Sequence, residues 1–362
     1  QISVGEGNLF LSPYSISLAL AMTSAGARST TEKEMAQALQ FLLSQENLHP
    51  AFNALDQELA KRGQGAKGRD DKGFRLNIVN AIWGQKDYGF LPAFLDTLAM
   101  NYGAGLRLLD FIKSPEPSRI AINDWVSDET DGRITDLIPQ GAIDQLTRLV
   151  LTNAIYFNAA WQYPFPEGAT ADGDFRLLDG NTISPPVMHI TESFRYAQGD
   201  GYHAVELPYD GGELSMIILL PDDGQFAAFE KGLDTERFAA ILGEMESRQV
   251  ALGLPRFEYT SEFNLNAVLA SMGMPEAFTG TADFSGMTGG RDLYISDVIH
   301  KAFVAVDEAG TEAAAATAVI MRLTAMPAEP VVMTVDRPFI FLIRDIQTGA
   351  VLFVGRVLDP SK

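Results

Sequence analysis

Apolar residues recur along this chain with two different periods. In the first half they come every three or four positions, as on a helix with one buried face. Residues 10–25 form the first such stretch, rich in Ala and Leu, opening on Ser12-Pro13 and stopping at Gly26. Ser before Pro is a helix entry, because the hydroxyl accepts a free N–H and proline fits the first turn. Residues 30–41 follow, with Thr30-Thr31-Glu32-Lys33-Glu34 as a capping signature ahead of Met35, Ala38 and Leu39. Residues 49–61, 92–101 and 120–130 read as further helices, the last stopped by Asp131-Gly132. Two strands interrupt them: residues 74–85, which alternate, and 149–157, a continuous β-rich apolar run of the kind buried on both faces.

From residue 204 onward a period of two takes over. Strands are predicted at 204–209, 214–220, 249–257, 299–307, 331–335, 339–345 and 351–357, with Asp210-Gly211-Gly212 and Asp222-Asp223-Gly224 as turns. Short helices are predicted near 226–231, 234–242 and 263–272. Helices gather in the first half and strands in the second without βαβ alternation, which is an α+β pattern with mainly antiparallel sheets. No linker divides the chain, so a single domain over residues 1–362 is expected.

Composition narrows the class. A chain of 362 residues that is 46% hydrophobic and 20% charged can bury a large core, and is neither disordered nor collagen-like. The absence of Cys excludes disulfides, thiolate metal sites and Cys nucleophiles. A formal charge of −20 argues against nucleic acid and anionic membranes as partners. No apolar run is long enough for a membrane-spanning helix. The chain starts at Gln1 with no visible signal segment, which reads as trimmed or processed.

One segment fits no ordinary role. Residues 307–326 read DEAGTEAAAATAVIMRLTAM. Local propensity assigns the Ala run to a helix or a surface linker. Yet it follows a strand directly, contains Gly310 and ends in Met326-Pro327-Ala328-Glu329-Pro330, an extended breaker. As a strand it alternates: Thr311, Ala313, Ala315, Thr317, Val319, Met321 and Leu323 share one face, and Glu312 and Arg322 lie on the other. Its small side chains suit a strand that slides between two neighbours.

Motifs in order along the chain carry a family resemblance. They are Asn8-Leu9-Phe10-Leu11-Ser12-Pro13-Tyr14-Ser15-Ile16, Val79-Asn80-Ala81-Ile82-Trp83, Ile122-Asn123-Asp124-Trp125-Val126 with Thr130-Asp131-Gly132-Arg133-Ile134, and Leu151-Thr152-Asn153-Ala154-Ile155-Tyr156-Phe157 with Trp161. Asp283-Phe284-Ser285-Gly286 and Asp336-Arg337-Pro338-Phe339-Ile340-Phe341 complete the set. Together, from about Asn8 to Pro360, they resemble the serpins, of the inhibitory type. The resemblance implies a five-stranded main sheet able to accept a loop as an extra strand, two smaller sheets, and eight to nine helices, the family's first helix being absent here. It therefore also implies a shortened lifetime of the metastable state, which equal lifetimes with and without that helix would refute.

By the same resemblance the reactive-centre loop spans about residues 308–330, with a hinge of Glu308, Gly310, Thr311, Glu312, Ala313, Ala314, Ala315 and Ala316. Family spacing puts the scissile bond between Thr324 and Ala325, with cuts after Arg322, Leu323 or Met326 left open. Thr324 suits elastase-like or subtilisin-like proteases and Arg322 trypsin-like ones. Ser12, Ser15, Asn153 and His300 match the family's shutter cluster, and Trp161, Arg256 and Glu308 its breach. The implied partner is a serine protease, held as a covalent acyl complex by a monomeric inhibitor. The alternative is a non-inhibitory carrier or chaperone.

Catalysis by the chain itself is not expected. There are four His (His49, His189, His203 and His300), no G-x-S-x-G and no H-E-x-x-H, and no cofactor or metal is implied. Lys61, Arg62, Lys67, Arg69 and Lys72 occupy the region where some serpins bind heparin, but Asp70, Asp71 and interspersed glycines favour a solvated loop. The absence of N-x-S/T acceptors and of Cys leans toward a prokaryotic source, and secretion is a family-based expectation.

Overall fold

The computed structural model describes residues 7–66, 74–103, 106–311 and 329–362. Among them nine α-helices occur: α1 (Pro13–Ser24), α2 (Ser29–Ala38), α3 (Gln45–Leu59), α4 (Pro92–Tyr102), α5 (Pro115–Glu129), α6 (Phe226–Lys231), α7 (Thr235–Glu244), α8 (Asn266–Ser271) and α9 (Ser285–Thr288). The strands of the first half are β1 (Leu9–Leu11), β2 (Arg75–Gln85), β3 (Arg107–Leu109), β4 (Leu149–Ala160), β5 (Ala171–Asp172) and β6 (Phe175–Arg176). Then come β7 (Thr182–Ile183), β8 (Pro186–Gly199), β9 (Tyr202–Pro208), β10 (Leu214–Pro221), β11 (Glu246–Pro255) and β12 (Phe257–Asn264). The last five are β13 (Val298–Asp307), β14 (Gly310–Thr311), β15 (Val331–Thr334), β16 (Phe339–Asp345) and β17 (Val351–Val357).

The strands form a six-stranded sheet, β12-β13-β14-β4-β2-β3, and a nine-stranded sheet, β1-β17-β16-β10-β9-β8-β11-β15 with β5 on β8. The expected five strands are present in the first sheet, and two-residue β14 is the sixth. The second sheet is continuous through β8 and β9, so two expected smaller sheets run together, and β6 with β7 makes a separate ribbon. Pairing is antiparallel except for β2–β3, β4–β13 and β11–β15. The main core lies between the large sheets, where Phe157, Tyr209, Ile218, Leu252, Val304, Phe341 and Phe353 are buried. A second core beneath α1, α2, α4 and α8 holds Leu20, Met22, Met35, Phe94 and Leu269.

Several boundaries move for local reasons. Residues 9–11 join β17 as strand β1 before Ser12 caps α1, its side chain accepting from the Ser15 N–H at 3.1 Å. Helix α3 begins at Gln45 and carries Pro50 in its first turns, and α5 begins at Pro115, five residues before the apolar period starts. Phe263 continues β12, opposite His300, and only from Asn266 does the chain coil. The 14-residue β8 was not anticipated, although Val187, Met188, Phe194, Tyr196 and Ala197 are its buried positions.

Candidate functional site

The unusual feature of the six-stranded sheet is a forked seam. Over Val298–Ala302, β13 pairs directly and in parallel with Leu151–Ile155 of β4. Beyond that stretch the two strands separate, and β14 sits between them, antiparallel to both: Thr311 faces Val306 on one side and Ala159 on the other. Only glycine can occupy position 310, because a Cβ there would lie 2.1 Å from the Ala159 carbonyl oxygen. Thr311 is buried, and its Oγ1 shares a 2.7 Å hydrogen bond with the Tyr209 hydroxyl. The Tyr209 ring stacks on Trp161 at 4.7 Å, on the core side of the sheet.

Trp161, Arg256 and Glu308, predicted together, meet at the mouth of the fork. Trp161 donates through Nε1 to the Asp307 carbonyl at 2.9 Å and through its backbone N–H to the Ala309 carbonyl at 2.8 Å. The Glu308 carboxylate accepts from Arg256 Nε at 2.8 Å, from an Arg256 terminal nitrogen, and from the Thr170 hydroxyl. Burial, the largest influence on Glu308, pushes its pKa up, but the Arg256 and Thr170 hydrogen bonds outweigh it and hold it below the usual glutamate value. The carboxylate is therefore charged and pinned where the chain turns from β13 into β14.

Ser12, Ser15, Asn153 and His300 also converge, on the closed part of the seam. His300 on β13 and Asn153 on β4 are register partners there. His300 Nε2 accepts the Ser12 backbone N–H at 3.2 Å, which leaves Nδ1 as the protonated nitrogen donating to Asn153 Oδ1. Asn153 Nδ2 donates in turn to Ser15 Oγ and Asn80 Oδ1, both at 2.7 Å. Full burial drives the His300 pKa down to about 3, so the ring is neutral. Every polar atom of the pair spans or borders the seam, and the cluster ties both strands to α1. Asn80, Thr170 and Tyr209 were not anticipated. A polar Asn within the apolar run of β2 was the one visible signal for Asn80.

Over the opposite face of the seam lies α5 and the segment after it. Ile122, Val126, Ile134, Leu137 and Ile138 pack onto Ala81 of β2, Ala154 of β4 and the partly buried Ile299 and Phe303 of β13. The Arg107 guanidinium lies 4.4 Å from the Trp125 ring and 5.4 Å from that of Trp83, pinning α5 to the sheet edge.

Gly310 and Thr311 are the only hinge positions beyond Glu308 that fall within the described residues. Glu312, Ala313, Ala314, Ala315 and Ala316, and the bait positions Arg322, Leu323, Thr324, Ala325 and Met326, lie outside them, as do Lys67, Arg69 and Lys72. Arg62 is described and is buried, with Nε 2.5 Å from Asp345 Oδ1, which removes it from any polyanion-binding surface.

Comparison with known proteins bears on this geometry. The family model for Serpin (serine protease inhibitor) matches residues 1–360. The leukocyte elastase inhibitor of Sus scrofa is 40% identical over 364 residues, covering 98% of this chain and 93% of that protein. A serpin-like protein of Thermococcus kodakarensis is 38% identical over 363 residues, covering 100% of this chain and 83% of its own. Among solved structures, uncleaved ovalbumin superposes with a TM-score of 0.85 at 26% identity, covering 98% of this chain and 93% of that one. Serpin48 of Tenebrio molitor gives 0.85 at 29%, covering 99% and 93%.

Proposed function

The chain belongs to the serpin family of serine protease inhibitors, and on that premise we propose that it is a suicide substrate that traps its target by completing the strand begun at β14. The observation that carries this reading is the fork: the first two residues of a new strand are already seated between β4 and β13.

The target's serine attacks the carbonyl of Thr324, the Thr324 to Ala325 bond breaks with the amine leaving on Ala325, and the protease remains as an ester on Thr324. Freed at that end, residues 312–323 continue the register. Stepping along from Thr311 opposite Ala159 and Val306 puts residue 317 opposite both Asn153 and His300. The Thr317 hydroxyl then stands between the partners of the closed seam and takes up their hydrogen bonds. Insertion breaks the five direct β4–β13 pairs. Against these, each inserted residue engages an N–H and a C=O, at about 0.5–1.5 kcal/mol per bond, a net gain on the order of ten kcal/mol. Displacing a catalytic serine by about 1 Å can already cost about a hundredfold in rate, so the energy suffices to stall deacylation.

The chain is incubated with elastase, subtilisin, trypsin and chymotrypsin, and products are separated in SDS. An SDS-stable complex with elastase or subtilisin, releasing a peptide that begins at Ala325, is expected. A peptide beginning at Leu323 in the trypsin reaction moves the bond to Arg322. Cleavage without complex for every protease refutes trapping and favours the carrier or chaperone reading.

A further inference from the structure

The chain re-enters the described structure at Glu329 and Pro330 and at once becomes β15, the edge strand beside β11. Val331 and Met333 point into the core, while Val332, 72% exposed, and Thr334 point to solvent. In register with them, Ala251 and Thr191 continue the row from Val332, and Gln249 and Ser193 form the next row. This solvent side of β8, β11 and β15, from Gln249 to Gly253 and across, carries no Asp, Glu, Lys or Arg, in a chain with 47 acidic residues, and ends at Arg195, the register partner of Ser247. The first outward charge along β8 is Arg195, which is already bound to Glu206 at 2.6 Å and to the Leu242 carbonyl at 2.8 Å.

Chain length bounds how far the bait bond lies from this plate. Seven Cα-to-Cα steps lead from Thr324 to Val331, so the bait bond lies at most about 25 Å from β15. A protease of about 240 residues has a radius of gyration near 18 Å. A body of that size gripping residues on both sides of the bond is wide enough to reach over β15 and its neighbours. Moving the bond to Arg322 extends the tether by only two residues and leaves β15 within reach.

We propose that the uncharged outer side of β8, β11 and β15 is a second contact surface for the target protease, meeting an uncharged rim around its active-site cleft. This rests on the bait-loop reading above. Apart from His189, opposite Gly253, the outward side chains of this face carry no ionisable group, so the two bodies close without stranding a charge, whereas a charge of either sign placed there is desolvated on docking.

Docking is read apart from trapping by measuring the Kd of the intact chain for pancreatic elastase and for subtilisin, each with its nucleophilic serine replaced by alanine. Two variants are compared with the parent, Thr191→Glu with Gln249→Glu, and Thr191→Arg with Gln249→Arg. Both pairs weaken binding by about tenfold or more, because either sign must be desolvated. An unchanged Kd in both overturns the proposal. Opposite shifts for the two signs mean long-range steering instead of contact, and overturn it as well. Absence of parent binding to both proteases overturns this proposal and the bait reading together. Normal docking without an SDS-stable complex from the active enzymes overturns trapping alone.

Discussion

Replacing Gly310 by Ala tests whether β14 is the start of the inhibitory movement. The new Cβ would lie 2.1 Å from the Ala159 carbonyl oxygen and 2.8 Å from the Ala160 Cα, both backbone atoms that cannot swing aside. Relieving the contact moves β14 from β4 by about 1 Å, which carries hydrogen bonds of 2.7–2.9 Å beyond bonding range. The Trp161 N–H to Ala309 carbonyl bond and the Thr311 to Tyr209 bond are the first to go. Tyr209 and Trp161 are buried, so their freed polar groups find no water. At about 1–3 kcal/mol for each orphaned group, seating of β14 is weakened by roughly 3 kcal/mol, a hundredfold or more in population. If insertion starts from the seated hinge, it slows by a similar factor and deacylation overtakes it. The assay is the ratio of SDS-stable complex to cleaved chain with the protease that the parent traps. Gly243→Ala, on α7 with open space around it, serves as the control. A Gly310→Ala yield of complex equal to that of the parent would show that the seated pair is incidental.

Two further outcomes follow from buried ionisable groups. His300, held near pKa 3 in the fold against an ordinary value of 6.5, binds its proton more readily when unfolded, so stability is full above about pH 6.5 and falls as pH drops toward 3. Between pH 7 and pH 5 its contribution falls by about 2 kcal/mol, seen as a lower urea midpoint, and His300→Gln should flatten that part of the profile; an identical slope would exclude His300 as the source. Arg62→Ala leaves the fully buried Asp345 carboxylate without its cation and should cost about 3–5 kcal/mol, whereas Arg62→Met with Asp345→Leu should cost less. Equal losses in thermal scans of the single and double variants would contradict that account.

The sequence disclosed the fold where a motif encodes a local necessity. Asn8, at the head of the first motif, ties β1 to the end of the chain, accepting the Leu358 and Asp359 N–H groups and donating to the Asp359 carbonyl. The Asp283-Phe284-Ser285-Gly286 motif is equally explicable: Asp283 accepts from the Ser29 and Ser285 hydroxyls, and Gly286 admits the Arg28 guanidinium, whose Cζ would be 2.5 Å from a Cβ. The clusters around Glu308 and His300 were found through the resemblance, since nothing in their spacing brings Glu308 to Arg256 or Asn153 to His300. Strand β8 was missed because polar side chains break its apolar alternation at Glu192. Tyr209 and Thr170 were missed for another reason: each acts through a single hydroxyl whose partner is set by tertiary packing.

The chain has three tryptophans, one at the mouth of the fork and two where α5 meets β2. Trp161 stacks on the tyrosine that holds Thr311, while Trp83 of β2 and Trp125 of α5 meet edge to face at 5.3 Å. The protein therefore carries its own optical gauge, one emitter at the mouth of the fork and a coupled pair beside its closed end. Passage of a strand should alter the first emitter before the pair, and a stopped-flow emission trace of the unlabelled molecule can time the two events separately.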